Sequence, residues 1–354
     1  MKQLSDFKEE LHSCSKCGLC QSVCPLYQVT GNDCTVSRGQ FIMLRGITKG
    51  ELKMNRNINK YLNMCLKCGA CSKFCPSDLD VVDIIITAKA EYFKQSTYEH
   101  FISFIQKNIL LKFVKFAGMF SKKVKSKSFS KKVIYFGGCG NKFKGNSAVV
   151  NILNKSGIEV ITPNFDCCGI LFLTRGDLDG FKNYIENFVE TLKKYNDDEI
   201  EIVTTCASCE KVLKDYPKYS DNEFLKKVKI KNIYEYLREN NIVFELKKPI
   251  KVTFHKPCNI SNYDDIKLIL ENTKNLEYVE MKDYDKCCGL NGIANFNEYK
   301  TMLKIYDQKR KNILETKAKF VLTSCLGCET ALLFNSLGMY RVCDLTDFLN
   351  KNIK

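Results

Sequence analysis

Two kinds of apolar spacing alternate along the second part of the chain. Lys132–Phe136, Ile158–Ile161 and Ile200–Thr204 are short apolar runs of strand length. Between them, Ala148–Lys155 and Asp177–Tyr195 read as helices. The longer one carries Leu178, Phe181, Ile185, Phe188 and Leu192 near helical spacing. Such alternation predicts α/β domains with mainly parallel strands, whose sites form in the loops at the strands' carboxyl ends. The text then repeats. Val133–Phe136 returns as Val252–Phe254, and Ile202-Val-Thr-Thr-Cys-Ala-Ser-Cys-Glu returns in character as Phe320-Val-Leu-Thr-Ser-Cys-Leu-Gly-Cys-Glu. The expected domains are 131–248 and 249–354. Ahead of them, 91–130 forms a connector. Within it Tyr98–Phe120 predicts a helix about 35 Å long, carrying Phe101, Phe104, Ile105, Leu111, Phe113, Val114, Phe116 and Phe120. Lys122, Lys123, Lys125, Lys127, Lys131 and Lys132 follow. A basic amphipathic segment over 98–132 suits an anionic membrane surface. Apolar stripes more often face a core, and the expectation is a helix packed inward with a solvated lysine tail.

Composition narrows the chemistry. The chain has 354 residues, more than one ordinary core holds. Apolar runs such as Ile84–Ile86 and Ile109–Leu111 are too short to span a bilayer. The start MKQLSDFKEE lacks the apolar region of a secretory signal, so a cytoplasmic protein is expected, with at most peripheral contact on the inner face of the cell membrane. There are 20 cysteines but 3 histidines and no tryptophan. Clustered reduced thiols point to metal held by sulfur. The formal charge of +15 suggests nucleic acid at first sight. Clusters with four thiolates each carry about −2 and offset part of it, and no basic–aromatic motif stands out, so no nucleic-acid partner is expected.

Cys14-Ser-Lys-Cys17-Gly-Leu-Cys20-Gln-Ser-Val-Cys24-Pro25 has the spacing C-x₂-C-x₂-C-x₃-C-P, and Cys65, Cys68, Cys71, Cys75 and Pro76 repeat it. This is the spacing of bacterial two-cluster ferredoxins. The two-residue gaps let one loop present three thiolates to one cubane, and the fourth cysteine serves the other cluster. One [4Fe–4S] set is therefore Cys14, Cys17, Cys20 and Cys75, and the other is Cys65, Cys68, Cys71 and Cys24. Zinc would use two Cys-x-x-Cys pairs rather than three plus one. Cys34 fits neither set and reads as a buried structural thiol. Cys343 also stands apart, with no assigned role.

The second region holds two sets of five. Cys139, Cys167, Cys168, Cys206 and Cys209 return as Cys258, Cys287, Cys288, Cys325 and Cys328, at offsets of 119 or 120. Each set has a lone cysteine after a strand, an adjacent pair followed by glycine, and a Cys-x-x-Cys pincer. Ten aligned thiols favour metal or redox chemistry over structural burial.

On these motifs the chain resembles the iron–sulfur subunits that join two ferredoxin motifs to two cysteine-rich CCG domains. They include the iron–sulfur subunits of glycolate oxidase, of lactate-utilisation enzymes and of anaerobic glycerol-3-phosphate dehydrogenase, and the D-type heterodisulfide reductase subunit. Ser37-Arg38-Gly39 is similar to the glycolate-oxidase segment Pro-Arg-Gly, and His255-Lys-Pro257-Cys258 to the family's His-x-Pro-Cys. The first repeat has Gly137-Gly138-Cys139 there and lacks the histidine. The resemblance implies an α+β, largely helical dicluster ferredoxin-like domain over 1–90 and two repeated α/β CCG domains with mainly parallel sheets. It implies a flavoprotein dehydrogenase subunit as partner, oxidising a 2-hydroxy acid or glycerol 3-phosphate, with a quinone or other membrane-bound acceptor. It also implies one or two non-cubane [4Fe–4S] clusters, or zinc, in the five-cysteine sets. Because both sets are complete, disulfide reduction at one of them is the alternative activity. His255 would then give a proton to a departing thiolate.

Overall fold

The computed structural model describes residues 2–110, 121, 123–195, 201–290 and 299–354. The chain divides into two compact units. One comprises Met1–Ile105, Leu171–Phe181 and Lys286–Lys309; the other comprises Gln106–Ile170, Lys182–Asp285 and Arg310–Lys354.

The first unit is built on short helices: α1 (Lys8–Ser13), α2 (Leu19–Val23), α3 (Pro25–Thr30), α4 (Ser37–Thr48), α5 (Arg56–Met64), α6 (Ala70–Lys73), α7 (Val81–Gln95) and α8 (Thr97–Ile105). Cysteines punctuate them. Cys14 ends α1, Cys65 ends α5, and Cys24 closes α2 and opens α3 with Pro25 at its first position, where a missing N–H costs nothing. Leu4, Leu11, Phe41, Leu44, Leu62, Ile84 and Ile85 form the core, and Cys14, Cys65, Cys71 and Cys75 pack against its edge. Gly39, in the first turn of α4, meets the turn at Asp33–Thr35 with no room for a side chain. A Cβ there would lie 2.1 Å from the Asp33 carbonyl oxygen.

Helix α8 departs from the expected inward-facing stripe. It buries Glu99 and Ser103 and turns Tyr98, Phe101 and Phe104 outward at 55%, 59% and 64% exposure. The inward face is polar because its neighbours are polar. Glu99 accepts from the Asn59 amide at 3.1 Å and pairs with Arg175 at 2.7 Å, and the Ser103 hydroxyl donates to Asp177. The continuous helix expected to Phe120 gives way at Gln106–Leu110 to a wider π turn. Leu111, Phe113, Val114, Phe116, Phe120 and Lys122 lie outside the described residues.

The repeats lie largely in the second unit. The first runs β1 (Lys131–Tyr135), α9 (Gly138–Lys144), α10 (Ser147–Lys155), β2 (Ile158–Ile161), α11 (Ile170–Arg175), α12 (Leu178–Lys193), β3 (Ile202–Thr204), α13 (Ala207–Asp215), α14 (Phe224–Lys227), β4 (Ile230–Asn232) and α15 (Ile233–Glu239). The other runs β5 (Glu245–Phe254), α16 (Asp264–Asn272), β6 (Lys274–Tyr278), α17 (Tyr299–Glu315), β7 (Phe320–Thr323), α18 (Leu326–Ser336), β8 (Arg341–Asp344) and α19 (Leu345–Asn352). Each forms a four-stranded parallel sheet, in the orders β2-β1-β3-β4 and β6-β5-β7-β8. The central strands are buried, as Val133–Tyr135, Ile202–Thr204, Val252–Phe254 and Val321–Thr323 show; this is why they read as apolar runs rather than alternations. Strand order reverses between β1 and β3, and between β5 and β7. Such switch points leave a crevice at the carboxyl ends, and Cys139, Cys206, Cys258 and Cys325 follow those strands.

The close approach at Gly39 yields a stability prediction. Gly39→Ala should cost about 2–3 kcal/mol. Calorimetry on the anaerobic, cluster-loaded chain should show a midpoint several degrees lower. An unchanged midpoint would mean that the turn at Asp33 yields freely.

Candidate iron–sulfur sites

The first unit contains two thiol-lined cavities. One is lined by Cys24, Cys65, Cys68 and Cys71, with Pro25, Leu26, Val36, Leu66, Val81 and Ile85 around them. The other is lined by Cys14, Cys17, Cys20 and Cys75, with Phe41, Leu79 and an edge of Cys71. Each cavity thus holds three thiols of one loop and the fourth of the other motif. The loops share a backbone: Lys16 and Gly18 in one, and Lys67 and Gly69 in the other, have positive φ. That shape turns N–H groups toward sulfur, and the Lys67 N–H donates to Cys65 Sγ at 3.4 Å.

The cavities differ in their surroundings. Cys17 is exposed, and N–H and hydroxyl donors from Leu19 and Ser15 hold its thiol below the usual range. In the other cavity, burial pushes Cys24 up to about 12 and raises Cys65 and Cys71. Cys68 is raised further by its hydrogen bond to the Cys287 thiol, which belongs to the same unit. Four half-buried thiols around one largely apolar hollow have little water to solvate their charged form. A cationic iron–sulfur core offers the counter-charge they lack, and the donor set fits one.

In the second unit the first five-cysteine set is brought together as a chain of contacts. Cys139 Sγ lies 3.0 Å from Cys167 Sγ, and hydrogen bonds continue from Cys167 to Cys168, to Cys209 and to Cys206. Donation from Cys139 and Cys168 holds Cys167 well below the usual thiol range. An aromatic layer runs Phe136–Phe165–Phe188–Tyr216, with ring centroids 5.1, 5.2 and 5.4 Å apart, and the Tyr216 hydroxyl donates to the Cys168 carbonyl at 3.2 Å.

The other set is distributed between the units. Cys258, Cys325 and Cys328 belong to the second and Cys287 and Cys288 to the first. Gly289 follows that pair at φ +86, and a Cβ there would lie 2.9 Å from the Tyr306 ring, so this turn accepts glycine alone. Cys206 and Cys325 are the N-caps of α13 and α18 and touch each other. The Ala207 N–H donates to the Ser324 carbonyl at 2.8 Å, and the Ser208 hydroxyl lies 3.2 Å from Cys325 Sγ. Bonds from the Cys206 and Cys328 thiols hold Cys325 well below its ordinary range.

His255 is fully buried at the end of β5. Its N–H donates to the Leu322 carbonyl, its carbonyl accepts from the Thr323 hydroxyl, and its ring lies within 4.8 Å of Cys328 Sγ. Cys34 lines neither cavity; its N–H donates to the Asn32 side chain. Cys343 lies on β8, where burial pushes its thiol up to about 12. Motif reading missed Lys67 and Lys89, both buried beside Cys65. No signal marks Lys67, because the first loop carries a lysine at the same place, Lys16, and that one is exposed.

Thiol-lined cavities in a helical unit, together with cysteine-bearing parallel sheets, define an iron–sulfur protein of the oxidoreductase class. More particularly, the chain belongs to the family that joins a 4Fe-4S dicluster domain, matched over residues 10–79, to a cysteine-rich domain matched twice, over 133–214 and 252–333. It is similar to the probable glycolate oxidase iron-sulfur subunit of Bacillus subtilis, with 27% identity over 96% of this chain and 93% of that one. It is also similar to the D-type polypeptide of the dihydromethanophenazine:CoB–CoM heterodisulfide reductase of Methanosarcina acetivorans, with 23% identity over 92% and 88%. Among solved structures, a hypothetical protein from Helicobacter pylori shares the fold at a TM-score of 0.54 and 15% identity, over 89% of this chain and 66% of that one.

A half-buried acidic group ties the repeats together. Lys144 of α9 pairs with Glu329 of α18 at 2.5 Å and with Asp347 of α19 at 2.8 Å. Beside them, burial and then the Asp347 carboxylate push Asp344 up to about 7 against the pull of Lys144. Asp344 also caps α19 by accepting the Thr346 N–H at 2.8 Å. A carboxyl group with a raised pKa binds its proton more tightly folded than unfolded. Its favourable contribution is complete below about 4 and is lost as the pH climbs through about 7. Asp344→Asn keeps the cap and removes the charge. The variant should therefore gain stability over the wild type between pH 4 and 7, by on the order of 1 kcal/mol, and hold the gain above. Urea unfolding at pH 4.5 and 8 checks this; a constant difference at both pH values would contradict it.

Proposed function

We propose that the chain is the electron-transfer subunit of a flavin-linked dehydrogenase that oxidises a 2-hydroxy acid or glycerol 3-phosphate and delivers electrons to a quinone or another acceptor. The observation that carries this reading is the pair of cavities with three-plus-one thiol sets. Cys14, Cys17, Cys20 and Cys75 would hold one [4Fe–4S] cubane, and Cys65, Cys68, Cys71 and Cys24 the other. Bound there, such clusters supply one-electron carriers, which suit the splitting of the electron pair released when an alcohol carbon becomes a carbonyl. The four thiols of one cavity are half-buried, whereas the other cavity is open to solvent at Cys17. The name of the Bacillus subtilis relative supports glycolate as substrate of the partner.

A second reading is disulfide reduction at the five-cysteine sets. The contact between Cys206 and Cys325 favours it, because it brings the two pincers together. The likeness to the heterodisulfide reductase polypeptide of Methanosarcina acetivorans supports it too. In this reading the sets hold non-cubane clusters, or zinc in one of them, and His255 near Cys328 gives the proton to the departing thiolate.

One experiment separates the readings. The anaerobically prepared chain is mixed with a purified flavoprotein 2-hydroxy-acid dehydrogenase and glycolate, lactate or glycerol 3-phosphate, and followed by electron paramagnetic resonance. Cubane reduction driven by substrate is expected. Failure with all three substrates, together with disulfide turnover by the chemically reduced chain, would decide for the second reading.

The outward aromatic face of α8 supports contact with an anionic membrane surface on the route to the acceptor. Among the described residues no helix is long and apolar enough to cross a membrane. Phe101→Ser with Phe104→Ser should cut pelleting with phosphatidylserine vesicles severalfold while leaving iron content unchanged. Equal pelleting of variant and wild type would remove the membrane contact.

A further inference from the structure

Lys67 and Lys89 are 7% and 1% exposed, and lysine is almost never fully buried in proteins without a partner charge. Lys67 sits inside the second cysteine loop and lines the cavity of Cys24, Cys65, Cys68 and Cys71. Its ammonium donates to the Cys65 carbonyl at 2.8 Å. Lys89, on α7, donates to the Thr174 carbonyl and meets the Lys67 side chain. Arg175 is close to both, but its carboxylate partner is Glu99 at 2.7 Å. Lys67 and Lys89 therefore stand beside Cys65, while Arg175 and Glu99 are paired with each other.

The other cavity is built differently. The lysine at the same place in its loop, Lys16, is exposed, and its cysteine Cys17 faces solvent. Lys16 and Arg38 both line that cavity; Lys16 is exposed, and Arg38 is half-buried and hydrogen-bonded to Gln21 at 3.3 Å. Charges near water are screened, whereas charges in a low-dielectric interior act strongly.

Burial alone would make the inner cluster harder to reduce, since an added electron brings its charge from about −2 to about −3. We propose that Lys67 and Lys89 are positioning charges that reverse this, holding the cluster at Cys24, Cys65, Cys68 and Cys71 at a higher reduction potential than the one at Cys14, Cys17, Cys20 and Cys75. With clusters bound, this difference would favour one-electron transfer, with no proton exchanged, from the cluster held by Cys14, Cys17, Cys20 and Cys75, which would be oxidised, to the one held by Cys24, Cys65, Cys68 and Cys71, which would be reduced beside Cys287, the thiol that hydrogen-bonds Cys68. This deepens the electron-transfer reading and rests on it.

The test is a potentiometric titration of the cluster-loaded chain by electron paramagnetic resonance, for wild type, Lys89→Met and Lys89→Arg, with iron and sulfide counted in each. Methionine keeps the length of the stem and removes the charge. Lys89→Met should make the higher-potential cluster about tenfold harder to reduce, a fall of about 59 mV for one electron, while the other cluster and Lys89→Arg stay near wild type. If Lys89→Met loses one cluster and Lys89→Arg keeps it, the charge requirement stands in stronger form. Unchanged potentials in Lys89→Met, or equal losses in both variants, would overturn the proposal. A wild-type chain that takes up no iron would overturn the electron-transfer reading itself.

Discussion

Sulfur ligands must be buried together before they can share a metal, and buried thiols are poorly tolerated as anions. That conflict organises this molecule. In the inner cavity of the first unit, desolvation raises Cys24, Cys65 and Cys71 together. In the second unit, thiols are packed so closely that each becomes the hydrogen-bond partner of the next, from Cys139 to Cys206. Neither arrangement lets all of its thiols ionise together without a counter-charge. Both suit a cationic inorganic core that removes the protons and spreads the charge.

The rest of the fold answers the same need by different means in the two units. Short helices with cysteine at their ends aim three thiols from one loop and borrow the fourth from the other loop. The parallel sheets use their topology instead: reversal of strand order opens a crevice at the carboxyl ends, and the chain delivers a cysteine there after each central strand. Helix N-termini at Cys206 and Cys325 add backbone N–H groups that favour thiolate.

Much of this was legible from the residues. The cysteine spacing foretold which thiols gather around each cavity, because loop length limits what a thiol reaches. The apolar runs Lys132–Phe136 and Ile158–Ile161 marked strands because both faces of the sheet are covered. The strands β4 and β8 escaped notice, since Ile230–Asn232 and Arg341–Asp344 are short edge strands of mixed polarity. For helix α8 periodicity shows which residues share a face, and only the Glu99–Arg175 pair shows that the polar face is the buried one. Lys67 and Lys89 were invisible for a related reason, because burial of a charge depends on what folds over it.

The touching pair Cys206 and Cys325 holds one more lesson. These residues occupy equivalent positions in the two repeats, each capping the equivalent helix. When equivalent positions meet, the contact is isologous, the hallmark of a two-fold axis. The two halves of this one chain thus meet as two identical copies about a two-fold axis would. The equivalence stops short of the neighbouring position, where His255 precedes Cys258 at the spacing at which Phe136 precedes Cys139.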